Sequence, residues 1–335
     1  LLACERDNML MPADLLPLIA VLGPTGAGKS ELSLRIAEEF RGEIVNCDSV
    51  HVYRGLNIGS AKLSPRERRG VAHHSLDIVG PGHDFTAGEY LRSGRLALRE
   101  ISGRHRLPIV VGGTGFYLRA LLLGLSPAPL RDEAIRDRLR RIANRRPQAL
   151  HRLLERADIE ASRRIHANDH QKLIRALEMS LLAHQKVSQV QSRPRDVLQG
   201  YSVLKIGLSP ERKALYEKID ARCVWMFENG IIEETRLLLE QGYQPQSKAL
   251  QTLGYRQAVQ ILDNSLSIQQ AITDCQTKTR QYAKRQMTWF RGETDIKWHH
   301  GFGTDRFLQQ AVFEDVKAHL LSCYATPLSE SEQHQ

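Results

Sequence analysis

The sequence has no apolar run long enough to span a membrane, and this absence excludes a large class of proteins. A membrane-spanning helix needs about 20 predominantly apolar residues, and no stretch of the 335 residues approaches that length. The five cysteines are widely spaced and form neither a C-x-x-C pair nor a cysteine–histidine pair with zinc spacing. We therefore expect a protein of the reducing cytoplasm that makes no membrane contact.

The N-terminal residues also lack the layout of a secretory signal peptide. Acidic residues come early, and Pro12 and Pro17 interrupt the apolar residues. We expect the natural start at Met9 or Met11, and we expect residues 1–12 to be disordered. The polar end of the chain, SESEQHQ, is typical of a frayed terminus, so residues 326–335 are also expected to be disordered.

Positive charge is in excess, and it is concentrated in two segments. The formal net charge is +9, and residues 131–175 hold 13 Lys and Arg against 7 Asp and Glu. A second basic stretch, residues 278–291, has no acid and interleaves Tyr282, Trp289 and Phe290. Basic groups for phosphates and aromatic rings for bases favour a nucleic-acid partner. A solvated helix face with an aromatic core stripe explains the second stretch equally well.

The most specific single motif is a glycine-rich loop between an apolar run and an amphipathic helical pattern. Residues 23–30 read GPTGAGKS and fit the phosphate-binding pattern G-x-x-x-x-G-K-[ST]. Backbone N–H groups and the start of the helix attract an anion, Lys29 adds a charge, and the Ser30 hydroxyl can ligate Mg²⁺. The motif predicts binding of a di- or triphosphate with Mg²⁺ as cofactor. The predicted phosphate-binding residues are Gly23, Pro24, Thr25, Gly26, Ala27, Gly28, Lys29 and Ser30.

Short apolar runs alternate with helical patterns along most of the chain, which predicts an α/β fold with a parallel sheet. The predicted strands are residues 18–22, 43–47, 107–111, 203–208 and 295–299.

Between residues 126 and 200 the strand pattern disappears, and arginines are frequent. Leu173, Leu177 and Leu181 mark one buried helical stripe there, after a predicted N-cap at Asn168-Asp169. We predict a P-loop, kinase-like core at 13–125 and 201–325 that is interrupted by a basic helical insertion at 126–200.

Two further predicted strand ends carry polar groups. Asp48 follows the second strand, where a carboxylate can bind Mg²⁺ through water or act as a general base. A turn or N-cap aspartate is the alternative. Thr114 follows Gly112-Gly113, where glycines allow close backbone approach to a ligand. A tight strand-to-helix turn capped by Thr114 is as consistent with that pattern.

Seven sequence blocks, in order, resemble the bacterial tRNA dimethylallyltransferase family, also called tRNA isopentenyltransferases. The blocks are GPTGAGKS, DSVHVYRGLNIGSAK, HHSLDIVGP, PIVVGGTGFYLRALLLGL, RIHANDHQKLIRALE, GYRQ and KTRQYAKRQMTWFR. The resemblance implies transfer of a dimethylallyl group from dimethylallyl diphosphate to N6 of the adenine 3′ to the anticodon in tRNA, with release of diphosphate. The phosphate loop would then hold the leaving group.

The resemblance also implies roles for individual residues. Asp48 would accept the proton as N6 attacks, Thr114 would contact the reacting groups, and Arg222 would lie near the diphosphate. The implied tRNA contacts are Asp48, Ser49, Val50, His51, Arg136, Gln171, Lys172, Leu173, Ile174, Arg175, Gln251, Thr252, Leu253, Gly254, Tyr255, Arg256, Lys284, Arg285, Gln286, Trp289 and Arg291.

The implied partners are the anticodon stem-loop of tRNA and dimethylallyl diphosphate, and we expect a monomer. His51 and Gln251 depart from the residues frequent in the family, which leaves the local RNA contacts open. The Gly26-Ala27 pair also differs, but backbone N–H groups do most of the work in such loops.

Three other functions share part of this pattern. A small-molecule kinase would use the same loop on a nucleotide γ-phosphate and would not need two basic segments. An adenylate isopentenyltransferase acting on free nucleotide would share the core without needing a basic insertion. A non-catalytic RNA-binding NTPase would leave a prenyl diphosphate untouched. The order of the blocks and the charge of the insertion favour tRNA modification.

Overall fold

A computed structural model of the chain describes residues 15–324. Both ends that the sequence predicts to be disordered, residues 1–12 and 326–335, lie outside this range, as does the expected start at Met9 or Met11. Within the described range, no helix is both long and apolar enough to cross a membrane.

The described strands form one parallel sheet of six strands in the order β3-β2-β4-β1-β5-β6. This confirms the predicted α/β fold class. The strands are β1 (Leu16–Leu22), β2 (Gly42–Asn46), β3 (His73–His74), β4 (Leu107–Gly112), β5 (Tyr201–Leu208) and β6 (Ile296–His299). Five of them overlap the predicted strands, whereas β3 was not predicted. A strand of two residues is too short to show alternation, and β3 forms only by pairing with Ile44 and Val45.

Thirteen helices connect and follow these strands in the described part of the chain. They are α1 (Lys29–Phe40), α2 (Ala87–Gly103), α3 (Gly115–Leu123), α4 (Glu133–Arg145), α5 (Ala149–Ala157), α6 (Ile159–Arg164), α7 (His170–Ala183), α8 (Val187–Gln191), α9 (Arg212–Glu228), α10 (Ile231–Glu240), α11 (Tyr255–Leu262), α12 (Ile268–Arg291) and α13 (Arg306–Tyr324).

The central strand β1 is buried along six of its seven residues. Its unbroken apolar sequence follows from this position, because a parallel strand with both faces covered needs apolar residues on each side. Ile19 lies opposite Ile109 of β4 and Leu204 of β5. On one face of the sheet, Ile19 and Ile109 share a core with Leu32 and Ile36 of α1. The carboxyl ends of β1, β2 and β4 are thereby held at one edge of the sheet.

Residues 122–198 form a compact unit of their own, and the rest of the described chain forms the unit that contains the sheet. The smaller unit contains α4 to α8 around a core that includes Leu150, Leu154 and Leu173. Asp169 caps α7 as predicted, because its side chain accepts a hydrogen bond from the N–H of Lys172. The predicted stripe ends earlier than expected, since Leu181 is 53% exposed.

Candidate active site

The predicted phosphate loop lies at the carboxyl edge of the sheet, between the last residue of β1 and the first residue of α1. Gly26 and Gly28 have φ angles of 81° and 82°, a left-handed conformation that glycine adopts without steric cost. Gly28 also lies against the loop before α13, where a Cβ atom would come within 3.0 Å of the N of Gly303. The loop therefore has the backbone conformation that an anion-binding nest requires.

Lys29 lies over this loop and donates a hydrogen bond from Nζ to the carbonyl oxygen of Pro24, at 2.8 Å. Burial lowers the pKa of Lys29 to about 8, although the negative charge of Asp48 opposes that shift. Arg222 adds to the lowering because it is a second positive charge. A diphosphate held here would compensate both cations.

Asp48 follows β2 at the same edge of the sheet, and its Oδ1 accepts a hydrogen bond of 2.8 Å from the N–H of Val50. Burial raises the pKa of Asp48, but His51, the N–H of Val50 and Lys29 together hold it below its usual value. Asp48 is thus a turn aspartate, as the alternative interpretation expected, and also an ionised carboxylate at the cavity. It can accept a proton at neutral pH.

Thr114 follows β4 and ties its loop to the Asp48 loop. Its Oγ1 accepts a hydrogen bond from the N–H of Ser49 at 3.2 Å, and its own N–H donates to the carbonyl oxygen of Cys47 at 3.3 Å. A Cβ atom on Gly112 would lie 2.0 Å from that same oxygen, so only glycine fits there. The two loops are therefore fixed to each other by one backbone–side-chain and one backbone–backbone hydrogen bond.

Arg222 extends from α9 to the phosphate loop. Its Nη1 donates a hydrogen bond to Oγ1 of Thr25, at 3.0 Å. Burial lowers the pKa of Arg222, with Cys223 and Asp48 opposing the shift. Nothing in the sequence around Arg222 distinguishes it from an ordinary helix arginine, so its position was implied only by the family resemblance.

These loops surround one cavity of about 650 Å³ in the unit that contains the sheet. Ile219 and Met226 of α9, with Leu76, supply apolar surface to its wall. The predicted residues that line it are Thr25, Gly26, Gly28, Lys29, Ser30, Asp48, Ser49, Val50, His51, Arg222, Gln251, Thr252, Leu253, Arg285 and Gln286. The cavity joins phosphate-binding groups, a carboxylate and an apolar wall, which suits a ligand that is part diphosphate and part hydrocarbon.

The cavity wall also includes residues that were not among the predicted site residues. Tyr282 lies one helical turn before Gln286 on α12, and this spacing could have identified it. Burial and the negative charge of Asp48 raise the pKa of Tyr282, so its hydroxyl stays protonated. Cys223 and Cys275 also line the cavity, with their sulfur atoms 3.6 Å apart. They are 52 positions apart in the chain, so no local pattern could have paired them.

The implied RNA contacts differ in exposure, and several of them are buried. Leu173 and Ile174 belong to the core of the helical unit, and Gly254 is buried as well. Tyr255 has no exposed surface; its hydroxyl donates to Glu234 and accepts from the N–H of Gly59. RNA could reach these side chains only if the core opened. The exposed members are Gln171, Lys172, Gln251, Arg256, Lys284, Arg285, Trp289 and Arg291.

Arg136 and Arg175 bind an internal carboxylate of the helical unit. Their Nη1 atoms donate to Oε2 of Glu178 at 3.2 Å and 2.7 Å, and the N–H of Asp132 donates to Oε1 of Glu178 at 2.8 Å. Glu178 has no exposed surface. A buried carboxylate needs such partners, because an unpaired charge in the core is strongly destabilising. Both arginines therefore have a structural role that the sequence analysis missed.

Trp289 is 36% exposed on α12, and the guanidinium of Arg119 lies 4.5 Å from the centre of its ring. Arg119 also donates from Nε to Glu293 at 3.0 Å. These contacts hold the indole ring in place, which suits a platform for base stacking.

The phosphate loop and its surroundings offer oxygen ligands suited to Mg²⁺. In the described range, no group of three or more His, Cys, Asp or Glu side chains could hold a metal ion. The Ser30 hydroxyl and the Asp48 carboxylate line the same cavity. Mg²⁺ commonly binds one or two protein oxygens together with phosphate oxygens and water, so these residues fit the ion when a diphosphate is present.

Comparison with known proteins places the chain among enzymes of one kind. A family model described as IPP transferase matches residues 51–293. The chain belongs to this family. Two curated relatives, both named tRNA dimethylallyltransferase, come from Solibacter usitatus and Koribacter versatilis. They are 51% and 49% identical over 301 residues, which cover 90% of this chain and 98% of each relative.

Solved structures of the family have the same fold. A full-length tRNA isopentenylpyrophosphate transferase from Bacillus halodurans is 33% identical, with a TM-score of 0.69 over 92% of this chain and 97% of the other. A eukaryotic dimethylallyltransferase acting on tRNA is 25% identical, with a TM-score of 0.77 over 94% of this chain and 81% of the other.

Proposed function

We propose that this protein transfers a dimethylallyl group from dimethylallyl diphosphate to N6 of the adenine 3′ to the anticodon in tRNA, and releases diphosphate. One observation carries the proposal: a phosphate loop, an ionised carboxylate and an apolar wall surround one cavity. The names of the relatives, tRNA dimethylallyltransferase, agree with it.

The phosphate loop would stabilise the leaving group. When the allylic C–O bond breaks, negative charge develops on the departing diphosphate. Backbone N–H groups of the loop, Lys29 and Arg222 are in place before this charge forms, and preorganised donors of that kind lower the barrier. Mg²⁺, with Ser30 as one ligand, would neutralise further charge on the diphosphate oxygens.

Asp48 would accept the proton that the adenine amine loses. A neutral aryl amine is too weak an acid to lose a proton first, so the new N–C bond begins to form before the proton leaves. Positive charge then builds on N6, and the proton passes to the Asp48 carboxylate. A base that acts this late needs no raised pKa, which agrees with the lowered pKa of Asp48.

The helical unit would supply contacts to the RNA backbone. Arg138, Arg145, Arg146 and Arg152 are exposed on this unit, and arginines that neutralise phosphates add affinity that depends on salt. The target adenine must leave the loop stack to reach Asp48, which costs a few kcal/mol and least in a single-stranded loop. Phosphate contacts can offset that cost.

The alternative functions predict different chemistry. A kinase or an RNA-binding NTPase would use a nucleotide γ-phosphate, and a nucleotide prenyltransferase would modify free AMP. The names of the relatives favour none of these three alternatives. The exposed arginines of the helical unit suit an RNA substrate. Cytoplasmic location and a monomeric state stay predictions.

The test is transfer of radiolabel from dimethylallyl diphosphate, with Mg²⁺, to an unmodified anticodon stem-loop and separately to AMP. We expect label in the stem-loop alone. Label in AMP alone would indicate the nucleotide-modifying enzyme. No label in either acceptor, together with ATP hydrolysis or phosphate transfer, would assign the loop to a kinase or NTPase.

A further inference from the structure

The buried side-chain amide of Gln286 forms hydrogen bonds with two loops of the candidate site, the phosphate loop and the loop that contains Gly113. Gln286 on α12 is 5% exposed. Its Oε1 accepts a hydrogen bond from the N–H of Thr25 at 2.8 Å, and its Nε2 donates to the carbonyl oxygen of Gly113 at 2.9 Å. A carboxamide provides an acceptor and a donor on one rigid plane, so a single side chain satisfies both loops.

The loop that contains Gly113 comes very close to this amide. A Cβ atom on Gly113 would lie 2.1 Å from Nε2 of Gln286, so a larger residue here would displace the amide from its present position. The φ angle of Gly113 is outside the left-handed range, unlike those of Gly26 and Gly28. The close approach of Gln286, rather than the backbone conformation, therefore explains why glycine occupies position 113.

The two loops that Gln286 joins have different tasks in the proposed reaction. Thr25 belongs to the phosphate loop and accepts a hydrogen bond from Arg222. Gly113 precedes Thr114, whose Oγ1 accepts from the N–H of Ser49 beside the proposed base Asp48. One loop would hold the leaving diphosphate and the other would support the proton acceptor. The distance between them sets how the donor carbon meets the adenine nitrogen.

We propose that Gln286 is a positioning residue that fixes the separation between the phosphate loop and the Thr114 loop. This inference rests on the proposed prenyl transfer. It assigns to Gln286 a role that differs from the RNA contact implied by the family resemblance, because its side chain is buried and both ends of the amide are engaged inside the protein.

Two substitutions separate positioning from binding. Gln286→Met keeps the size of the side chain and removes both hydrogen bonds. Gln286→Glu keeps the acceptor for the N–H of Thr25 and removes the donor to Gly113. In both variants we expect kcat to fall by about tenfold or more, because small errors in alignment are costly in the transition state. We expect KM for dimethylallyl diphosphate and for the stem-loop to stay within about twofold, because the residues that contact each substrate remain.

The pH profile gives a second readout that a merely structural role would not produce. When the carboxyl group of Gln286→Glu gains a proton, it can again donate to the carbonyl oxygen of Gly113. The kcat of Gln286→Glu relative to the unaltered protein should therefore rise as the pH falls from about 8 to about 5.5, because protonation of the new carboxyl group restores this donor. Gln286→Met should show no such recovery.

The matched control is Gln269→Met, an exposed glutamine in the first turn of the same helix. It should leave kcat, both KM values and the melting temperature unchanged. The proposed function itself fails if the unaltered protein transfers no label. The positioning role fails if the unaltered protein is active and Gln286→Met keeps its kcat, or if KM for the stem-loop rises with kcat unchanged. It also fails if both Gln286 variants are unfolded by circular dichroism, because Gln286 would then be required for the fold.

Discussion

Two ionisable residues of opposite charge determine the chemistry available in the cavity. Asp48 has a lowered pKa and remains ionised, whereas the pKa of Lys29 is lowered to about 8. The carboxylate is therefore ready to accept a proton across the neutral range. The Lys29 amine is mostly protonated below about pH 8, and a bound anion would extend its protonation to higher pH.

Replacement of Asp48 by asparagine tests the proton acceptor. Asp48→Asn keeps the size and the acceptor for the N–H of Val50 but removes the basic oxygen. Turnover should fall by about 100-fold or more, since general bases contribute on the order of 10²–10⁴ in rate. Affinity for the stem-loop in a filter-binding assay should change little. A parallel loss of binding would make Asp48 a recognition residue.

The lowered pKa of Lys29 predicts a pH dependence of donor binding. Burial favours the neutral amine, so above about pH 8 the free enzyme loses the charge that attracts diphosphate. KM for dimethylallyl diphosphate should be constant below this pH and rise above it. KM for the stem-loop is the internal control, because arginine contacts to phosphate do not titrate in this range. A donor KM that stays flat to pH 9.5 would mean that Lys29 is dispensable for binding.

At the level of elements, the segment after Asp48 is anchored by α10. The carboxylate of Glu234 accepts hydrogen bonds from the N–H groups of Asn57 and Ile58 at 3.1 Å and 3.0 Å, and from the hydroxyl of Tyr255. One acidic side chain thus holds a loop and connects it to α11. The family resemblance placed Tyr255 against RNA, whereas this network gives it a structural role.

Substitution of Glu234 by glutamine should therefore lower stability. An amide has one acceptor oxygen, so one of the partner donors would face an NH₂ group instead. The free energy of unfolding in urea should fall by about 1–3 kcal/mol. Glu233→Gln is the control, because Glu233 is exposed and pairs with Arg236 at the surface; it should change stability by less than about 0.5 kcal/mol. Equal effects of the two variants would contradict the anchoring role.

The sequence predicted the elements that are determined by local residue patterns, such as apolar runs and helix caps. The strand that precedes the phosphate loop is an unbroken apolar run, and Asp169 caps its helix through a local bond, so both were predictable. His73–His74 becomes a strand only through its neighbour. The buried amide of Gln286 and the guanidinium of Arg222 reach loops far away in the chain, and their partners have no local sequence signature.

At the scale of the whole molecule, most of the excess positive charge lies in the helical unit, residues 122–198. Residues 131–175 carry most of it, and they lie in the compact helical unit. Arg136 and Arg175 are engaged with Glu178, so only part of this charge is available to RNA. Counting basic residues in the sequence therefore overestimates the RNA-binding charge.

Arg145 and Arg146 are exposed at the end of α4 and test that distribution. Replacing both with alanine should weaken stem-loop binding. The slope of log affinity against log salt should become shallower by up to about 1 per lost single-strand or duplex phosphate contact. The double variant Arg99→Ala with Arg306→Ala removes two exposed arginines of the other unit and should leave the slope unchanged. Equal slopes in the two double variants would mean that Arg145 and Arg146 are only solvated.

The bond between Thr25 and Gln286 has a consequence for biosynthesis. It joins residues 261 positions apart, and the N–H of Gly303 donates to Ala27 from even later in the chain. During translation the phosphate loop is made long before these supports. A partly synthesised chain that lacks α12 and the loop before α13 therefore lacks both hydrogen bonds that hold the phosphate loop, and we expect no prenyl transfer until both segments have been made.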